Sequence, residues 1–253
     1  MEQITPSSFI LTQFNAMKAS IPQPRFFQRA FTLIETLVVV SIIVLILVMT
    51  APSLFSTMQA TRLTAAGETV LGFLSEAQQV AQSQNTPVEV RFFRYQTALS
   101  PYQAFRSMQM FKITNPVDAG GQIQERSEPI GTLVRLPENV IIPQDDTDLS
   151  PLLEGDGFED VKPTGSGSYS GVEDAYYCAV RFMTDGSCRK VEASGEGAAA
   201  SSLSYPLDLR QSCITICPDI NQEVNIDNLP RNFFCIQVDP YTGKIHTYRP
   251  GQY

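Results

Sequence analysis

Apolar side chains form one unbroken run near the N-terminus, whereas the rest of the chain mixes apolar with polar positions. No charged side chain occurs between Glu35 and Arg62. A run of about 20 apolar residues is long enough for a helix to cross a bilayer. The pattern therefore predicts a transmembrane half-helix over residues 31–51, preceded by a leader at residues 1–30.

From Pro52 onward the apolar positions become periodic instead of continuous. Steps of three to five residues place them on one face of a helix, and the stripe comprises Phe55, Met58, Leu63, Ala66, Val70, Phe73, Ala77 and Ala81. Because Pro87 disfavours helical geometry at Thr86, the helix is expected to end near Asn85. Residues 52–84 are therefore predicted to be the amphipathic half of the same helix.

The next segment, residues 85–253, has the short alternating patterns of β-strands. The predicted strands are 88–95, 102–113 and 130–136, then two hairpins, 176–184 with 188–192 and 233–238 with 244–248. No strand–helix alternation occurs in this segment, which argues against a parallel α/β sheet. The predicted fold class is α+β: a long N-terminal helix packed on a mainly antiparallel β-sheet head.

Two polar inserts interrupt the predicted sheet. Residues 143–174 are rich in Asp, Glu, Gly, Ser and Pro, and residues 193–204 are mostly Ala, Ser and Gly; both are predicted to be mobile surface loops. Weak candidates for calcium ligands in the first insert are Asp145, Asp146 and Asp148, with Glu154 and Asp156 nearby. Their spacing matches no Ca²⁺ loop template, so a solvated acidic loop is the default interpretation. No metal and no cofactor is expected.

Charge is divided unevenly along the chain. The net charge is -8, but the leader is basic, since it carries Lys18, Arg25 and Arg29 against Glu2. A positive segment before an apolar helix stays in the cytoplasm, so the part of the chain after the helix is exported. The protein is therefore expected in the cytoplasmic (inner) membrane as a single-pass protein with its head in the periplasm. The acidic head argues against nucleic-acid binding by bulk charge.

The junction between leader and apolar run has an unusual order. An ordinary secretory signal has its small-residue cleavage site after the apolar run, whereas here Ala30 lies before it, directly after Arg29. Cleavage at this point would remove the leader and leave the apolar helix on the mature protein. The helix then starts at Phe31, with the carboxylate of Glu35 at its head. Met17 offers an alternative translation start with a compact basic leader.

These residues resemble the prepilin cleavage and methylation motif of type IV pilins and type II secretion pseudopilins. The resemblance rests on Phe31-Thr32-Leu33-Ile34-Glu35, the apolar run and Pro52, where many pilins have a helix-bending proline. It implies that an aspartic prepilin peptidase cuts between Ala30 and Phe31, and that the new amine of Phe31 is N-methylated. Ala30 departs from the glycine that the family usually has before the cut.

The position of Glu35 fits this resemblance physically. After cleavage the α-amine of Phe31 is a cation with an ordinary pKa of about 7.7–8.0, and residues 31 and 35 share one helical face. In a filament of parallel helices, Glu35 can neutralise the amine of a neighbouring subunit and set the axial stagger between them. The alternative is an incidental acidic residue at the head of a plain signal anchor.

The order of elements is similar to a narrower group, the minor pseudopilin H and FimT-like proteins. That group has a helix, strands, a Phe-x-x-Asp-Gly-Ser hairpin and a closing Gly-Lys-Ile strand, which correspond here to residues 182–187 and 243–245. Within it, the layout most resembles the Verru_Chthon cassette protein D family of Verrucomicrobia. The resemblance covers residues 29–84 with a specific motif and residues 85–253 by layout.

All five cysteines lie in the last third of the chain: Cys178, Cys188, Cys213, Cys217 and Cys235. In an exported domain they are expected to form disulfides. Two bridges and one remaining thiol allow fifteen arrangements, among which the sequence does not choose. The alternative is a zinc site built on Cys213, Cys217 and the single histidine, His246, although the spacing is loose for zinc.

Taken together, these features predict a structural protein and not an enzyme. The head has one histidine and lacks the nucleophile, phosphate-loop and metalloprotease motifs. The expected role is a minor pilin or pseudopilin that joins or primes a pseudopilus or pilus. Its expected partners are the prepilin peptidase, other pilins, the inner-membrane assembly platform and the bilayer. Two alternatives stay open: a membrane-anchored periplasmic enzyme, and a DNA-uptake pilin using Arg91, Arg94 and Arg106, which otherwise are strand-surface charges.

Overall fold

The computed structural model describes residues 32–115, 125–144, 149–154, 176–194 and 201–250. Within these ranges one helix, α1 (Leu33–Ser83), precedes a set of β-strands. The strands are β1 (Val88–Thr97), β2 (Ser100–Thr114), β3 (Arg126–Arg135), β4 (Val140–Pro143), β5 (Tyr176–Phe182), β6 (Cys188–Ser194), β7 (Ser201–Pro206), β8 (Cys213–Pro218), β9 (Phe234–Val238) and β10 (Ile245–Tyr248). Short 3₁₀ turns occur at Pro151–Leu153 and Leu209–Gln211. The α+β prediction is confirmed.

The chain divides into two units, Met1–Met49 and Thr50–Tyr253. In the first, all described residues are solvent-exposed, and their large apolar side chains are 46% to 83% exposed. Leu33–Thr50 is an 18-residue span with mean hydropathy 2.8, long and apolar enough to cross a membrane. This confirms the prediction of one membrane-length apolar helix near the N-terminus.

In the second unit, one face of α1 is buried against the sheet. The predicted stripe is confirmed at six positions and Leu74 joins it; the buried residues are Leu63, Ala66, Val70, Phe73, Leu74, Ala77 and Ala81. Met58, which the periodicity assigns to the same stripe, is 52% exposed, because full burial of the helix begins only at Leu63. Each Leu or Val buried here stabilises the fold by about 1.5–3 kcal/mol.

The helix ends as the sequence predicts, shortly before Pro87. Asn85 has a positive φ of 47°, its N–H donates to the carbonyl of Gln82, and the Thr86 N–H donates to the carbonyl of Ala81. This pair of hydrogen bonds around a left-handed residue is the Schellman motif, in which Asn is the usual substitute for Gly. The chain thereby reverses and enters β1 within a few residues.

The strands form one sheet in which every pair of neighbours is antiparallel. Its order is β10-β9-β8-β4-β2-β1-β5-β6-β7, and β3 pairs with β2 off this path. The predicted strands β1, β2 and β3 and both predicted hairpins, β5–β6 and β9–β10, are confirmed. The prediction did not include β4, β7 or β8.

Side chains of β1 alternate between two faces of the sheet. Val88, Val90 and Phe92 belong to the main core, which includes the buried stripe of α1. Phe93 belongs to a smaller apolar cluster on the opposite face, together with Phe111. Both faces of the central strands are therefore buried, which the alternating pattern of β1 alone does not reveal.

Two hairpin turns meet beside the last turns of α1. The amide of Gln78 on the helix donates a 2.8 Å hydrogen bond to the carbonyl of Thr242 in the β9–β10 turn. Gly243, with φ of +65°, lies so close that a Cβ there would collide with the carbonyl oxygen of Gly186 in the β5–β6 turn. The Asp-Gly-Ser and Gly-Lys-Ile motifs therefore lie next to each other in space.

The prediction of a mobile loop at residues 193–204 is wrong at both ends of the segment. Strand β6 reaches Ser194, and Ser201–Pro206 forms β7, which pairs with β6. Ladder hydrogen bonds to a neighbouring strand impose this structure on a segment whose composition disfavours it. Residues 195–200 lie outside the described residues.

The prediction of a mobile loop at residues 143–174 is also wrong in its described N-terminal part, and residues 145–148 and 155–174 lie outside the described residues. Pro143 ends β4, and Leu149, Leu152 and Leu153 are buried. Ser150 holds this segment in place, since its Oγ accepts a 3.1 Å hydrogen bond from the N–H of Thr215 on β8. Apolar leucines that reach the core outweigh the polar composition of the insert.

Candidate functional site

The predicted cleavage residues, Ala30 and Phe31, lie outside the described residues, and the helix after them starts with a cap. The Oγ1 of Thr32 accepts a 3.3 Å hydrogen bond from the N–H of Glu35, and the Thr32 carbonyl accepts one from the N–H of Thr36. Thr32 is therefore the N-cap and Glu35 occupies the third helical position. A threonine followed by glutamate at this spacing is the capping-box sequence.

Glu35 is the acidic residue of the first turn of α1, and its side chain is exposed. An acidic group suits this end of a helix, because the free N–H groups and the helix dipole favour negative charge. Among the ion pairs of the described residues, none includes Glu35. Its carboxylate thus lies on an apolar helix surface where a partner from another chain could reach it.

Pro52 lies within α1, whose backbone is helical on both sides of it. The predicted bend at this residue stays a prediction.

A buried charge cluster lies on β1 and β5, on the sheet face opposite the main core. Glu89, whose side chain is 1% exposed, accepts a 2.6 Å hydrogen bond from Arg91 and a 2.7 Å one from Arg181. Arg181 also forms a two-pronged pair with Glu125, at 2.9 and 3.0 Å. Burial alone would lower the pKa of Arg181, but its bonds to Glu125 and Glu89 outweigh burial and raise that pKa.

Aromatic rings complete the surroundings of this cluster. The Arg91 guanidinium lies 4.0 Å from the ring centre of Phe111 and 4.6 Å from that of Tyr177, a cation–π arrangement. Burial raises the pKa of the Tyr177 hydroxyl to about 12. The hydroxyl therefore stays neutral at physiological pH.

The three arginines weighed as a DNA-binding stripe, and otherwise as strand-surface charges, are not on the surface. Arg91 and Arg94 are each 8% exposed, and Arg94 stacks on the ring of Tyr176. Arg106 pairs with Asp219 at 2.9 Å, and its side chain is 11% exposed. Alternating positions along a strand would expose these arginine side chains only if one face of the sheet were in contact with solvent. Here both faces are covered.

No disulfide joins the five cysteines in the structure, and they lie in three places. Cys178 and Cys188 are in the main core, and Cys217 is in a third cluster with Ile141. Cys213 on β8 and Cys235 on β9 are half-buried and hydrogen-bonded to each other. The prediction that disulfides form stays a prediction; Cys213 and Cys235 are diagonal neighbours across β8 and β9.

The calcium candidates Asp145, Asp146 and Asp148 lie outside the described residues. Within the described ranges, no group of three His, Cys, Asp or Glu side chains is placed to hold a metal ion. Cys213, Cys217 and His246 therefore do not assemble the zinc site considered from the sequence. His246 is an exposed residue of the edge strand β10.

The sequence analysis did not identify two features of the structure, the capping role of Thr32 and the buried charge cluster. The capping role of Thr32 carries a signal, since Thr-x-x-Glu precedes an apolar run. The charge cluster carries none, because Glu89 and Arg181 are 92 residues apart in the chain.

No family model, no curated protein and no solved structure matches this chain.

Proposed function

We propose that this chain is a minor pilin or pseudopilin with a pilin-like fold. It is cut between Ala30 and Phe31, anchored by the apolar start of α1 and incorporated into, or used to prime, a secretion pseudopilus or a type IV pilus. The observation that carries the proposal is the capped helix start: an entirely exposed apolar span with one carboxylate, Glu35, at its head.

An exposed apolar helix needs apolar surroundings. Transfer of apolar surface out of water is favourable by roughly 25 cal/mol per Å², and Leu33–Thr50 leaves all its sides uncovered. A helix that is apolar all round belongs in a membrane or among other helices. A pilin passes between these two environments, since its helix leaves the bilayer for the core of a filament.

The carboxylate of Glu35 then needs a partner. A charged group costs on the order of 2.5–3.5 kcal/mol at the centre of a membrane helix and less near its end, and among the ion pairs of the described residues none supplies a cation to Glu35. The amine that cleavage creates at Phe31 of a neighbouring subunit is the partner we propose. The pair lowers the cost of both charges and fixes the stagger of adjacent helices.

The contacts within the head favour a structural role over the two alternatives, a periplasmic enzyme and a DNA-uptake pilin. Its buried charges are engaged with one another, and the arginines that a DNA-binding surface would need are stacked or ion-paired within the fold. The proposed location is the inner membrane, with the head in the periplasm. The proposed partners are the prepilin peptidase, other pilins and the assembly platform.

The test is processing in cells. The full chain is produced with an active prepilin peptidase and, in parallel, with a peptidase lacking its catalytic aspartates, and membrane protein is analysed by intact mass. We expect a mature N-terminus at methylated Phe31 only with the active enzyme. Ala30→Trp should block cleavage without changing membrane insertion.

A mature N-terminus elsewhere, or an unprocessed chain beside an active peptidase that cuts a known prepilin, would overturn the proposal.

A further inference from the structure

Cys213 and Cys235 are neighbours across the β8–β9 pair. Thr215 lies opposite Cys235, and Cys213 lies opposite Gln237, so the two cysteines are diagonal neighbours on one face. That face points away from the main core, because the alternate residues Ile214 and Ile236 are in the core. Diagonal positions of an antiparallel pair lie about 7–8 Å apart and closer at Cβ, just beyond the Cα separations that disulfides usually span, so closing the bond requires a small shift of one strand.

The two thiols are in contact and differ in reactivity. A hydrogen bond donated by Cys235 lowers the pKa of Cys213 to about 7, and the same bond raises the pKa of Cys235. The thiolate is the nucleophile in disulfide exchange. The lowered pKa favours Cys213 as the attacking thiol, and the Cys235 sulfur lies next to it to complete the exchange.

The other cysteines are poorly placed for the same chemistry. Cys188 and Cys217 are buried, and burial raises the pKa of each to about 12. Cys178 lies one residue before Ala179, whose partner is Val191, whereas Cys188 pairs with Phe182. Cys178 and Cys188 are therefore about four residues apart along the strands, roughly 13 Å, too far for a disulfide.

Cys217 is the serious competitor. Cys217 comes two residues after Thr215, which lies opposite Cys235. It is therefore a diagonal neighbour of Cys235 as well, on the side away from Cys213. Its side chain, however, is fully buried in the cluster with Ile141 and Leu149, and its backbone register is set by β4.

We propose that Cys213 and Cys235 are the cysteine pair that oxidises, giving a disulfide that ties β8 to β9. The bond closes the connection formed by residues 219–233, in which no helix or strand is assigned. It thereby holds that connection and the C-terminal hairpin to the rest of the sheet.

The reaction is a two-step thiol–disulfide exchange with a disulfide-bearing oxidant. The Cys213 thiolate attacks one sulfur of the oxidant, forming a mixed disulfide and releasing the first thiol. Cys235 loses its proton to solvent and attacks the Cys213 sulfur, forming the internal bond and releasing the second thiol. The protein loses two electrons and two protons, and the oxidant gains them. In the cell this reaction rests on the proposed function, since it requires export to an oxidising compartment; in vitro it requires only the oxidant.

The experiment uses the full chain, purified in detergent under reducing conditions and then incubated with oxidised glutathione. We expect the intact mass to fall by two hydrogen atoms and free thiols to fall from five to three. Trypsin places Cys213 and Cys217 on one peptide, residues 211–231, and Cys235 on another, residues 232–244. A cross-link between these peptides is expected, and the cysteine-to-serine variants show which residues form it.

Cys217→Ser is the matched control and should leave the cross-link in place. Cys213→Ser and Cys235→Ser should each remove it, and an unchanged denaturant unfolding curve of the reduced variants would show that they are folded. A cross-link lost in Cys217→Ser but kept in Cys213→Ser overturns the proposal, as does a stable glutathione adduct without an internal bond.

The outcome separates the two proposals. Normal cleavage after Ala30 in cells without pairing in vitro overturns the disulfide alone. Pairing in vitro without cleavage in cells overturns the pilin function alone.

Discussion

Glu35 combines two roles that a single substitution can separate. Glutamine at the third helical position still satisfies the capping-box sequence, so Glu35→Gln removes the charge and keeps the helix start. We predict unchanged membrane insertion, head folding and leader cleavage, but weaker incorporation into filaments, because the neighbouring amine loses its partner. Cross-linking to the major pilin, with processing followed in parallel, measures this.

The matched control for Glu35→Gln is Thr32→Ala. It removes the side-chain cap seen in the structure at a cost of about 1 kcal/mol to the helix start and leaves the charge. Assembly that falls in Thr32→Ala but not in Glu35→Gln would mean that helix initiation, not charge, sets filament incorporation.

Glu89 is the second residue with a sharp prediction. Glu89→Ala leaves the buried Arg91 without its counter-charge and Arg181 with Glu125 alone, and breaking a buried pair in this way costs about 3–5 kcal/mol. We expect a clear loss of stability in guanidinium unfolding of the full chain in detergent.

Glu128→Ala breaks the exposed pair with Arg126 and serves as the control for Glu89→Ala. It should change the free energy of unfolding by less than about 1 kcal/mol. Equal losses in the two variants would contradict the assignment of Glu89 as the centre of the cluster.

At the level of elements, the meeting of two turns beside α1 depends on glycine. Gly243→Ala would combine a positive φ with a collision against the Gly186 carbonyl. Gly131 has a similar φ of +69° but open space around it, so Gly131→Ala tests the backbone strain alone. We predict a loss of about 1–2 kcal/mol for Gly131→Ala and a larger one for Gly243→Ala, measured by thermal unfolding. Equal losses would mean that the turns can move apart freely.

Local signals predicted some elements and missed others for a physical reason. Helix α1, β1 and the Asp185-Gly186 hairpin carry their periodicity and turn residues in their own sequence. The four residues of β4 become a strand only because β2 and β8 pair with them on either side, information that lies elsewhere in the chain. The same holds for the site: the motif around Glu35 is local, whereas the proximity of Cys213 to Cys235 depends on the β8–β9 register.

For the whole molecule, the two units are predicted to differ in their solubility in water. A fragment starting at Thr50 keeps the buried stripe of α1 and the entire sheet. We expect it to be water-soluble with the near-UV circular dichroism of the full chain, whereas the full chain requires detergent or lipid because Leu33–Thr50 is exposed.

A fragment starting at Thr86 is the contrasting case. It lacks Leu63, Val70 and Leu74, which are fully buried in the main core, and should aggregate or lose its fixed tertiary structure. A well-folded Thr86 fragment would show that α1 is not part of the core.

The order of strands has a consequence for how the chain is made. Outward from the central pair β1–β2, one side of the sheet runs β4, β8, β9, β10 and the other runs β5, β6, β7. On both sides the numbers only rise, so each new strand meets an edge that earlier residues have already built. A chain that emerges from a ribosome or a translocation channel N-terminus first can therefore fold by addition alone, without opening a formed pair to admit a later strand.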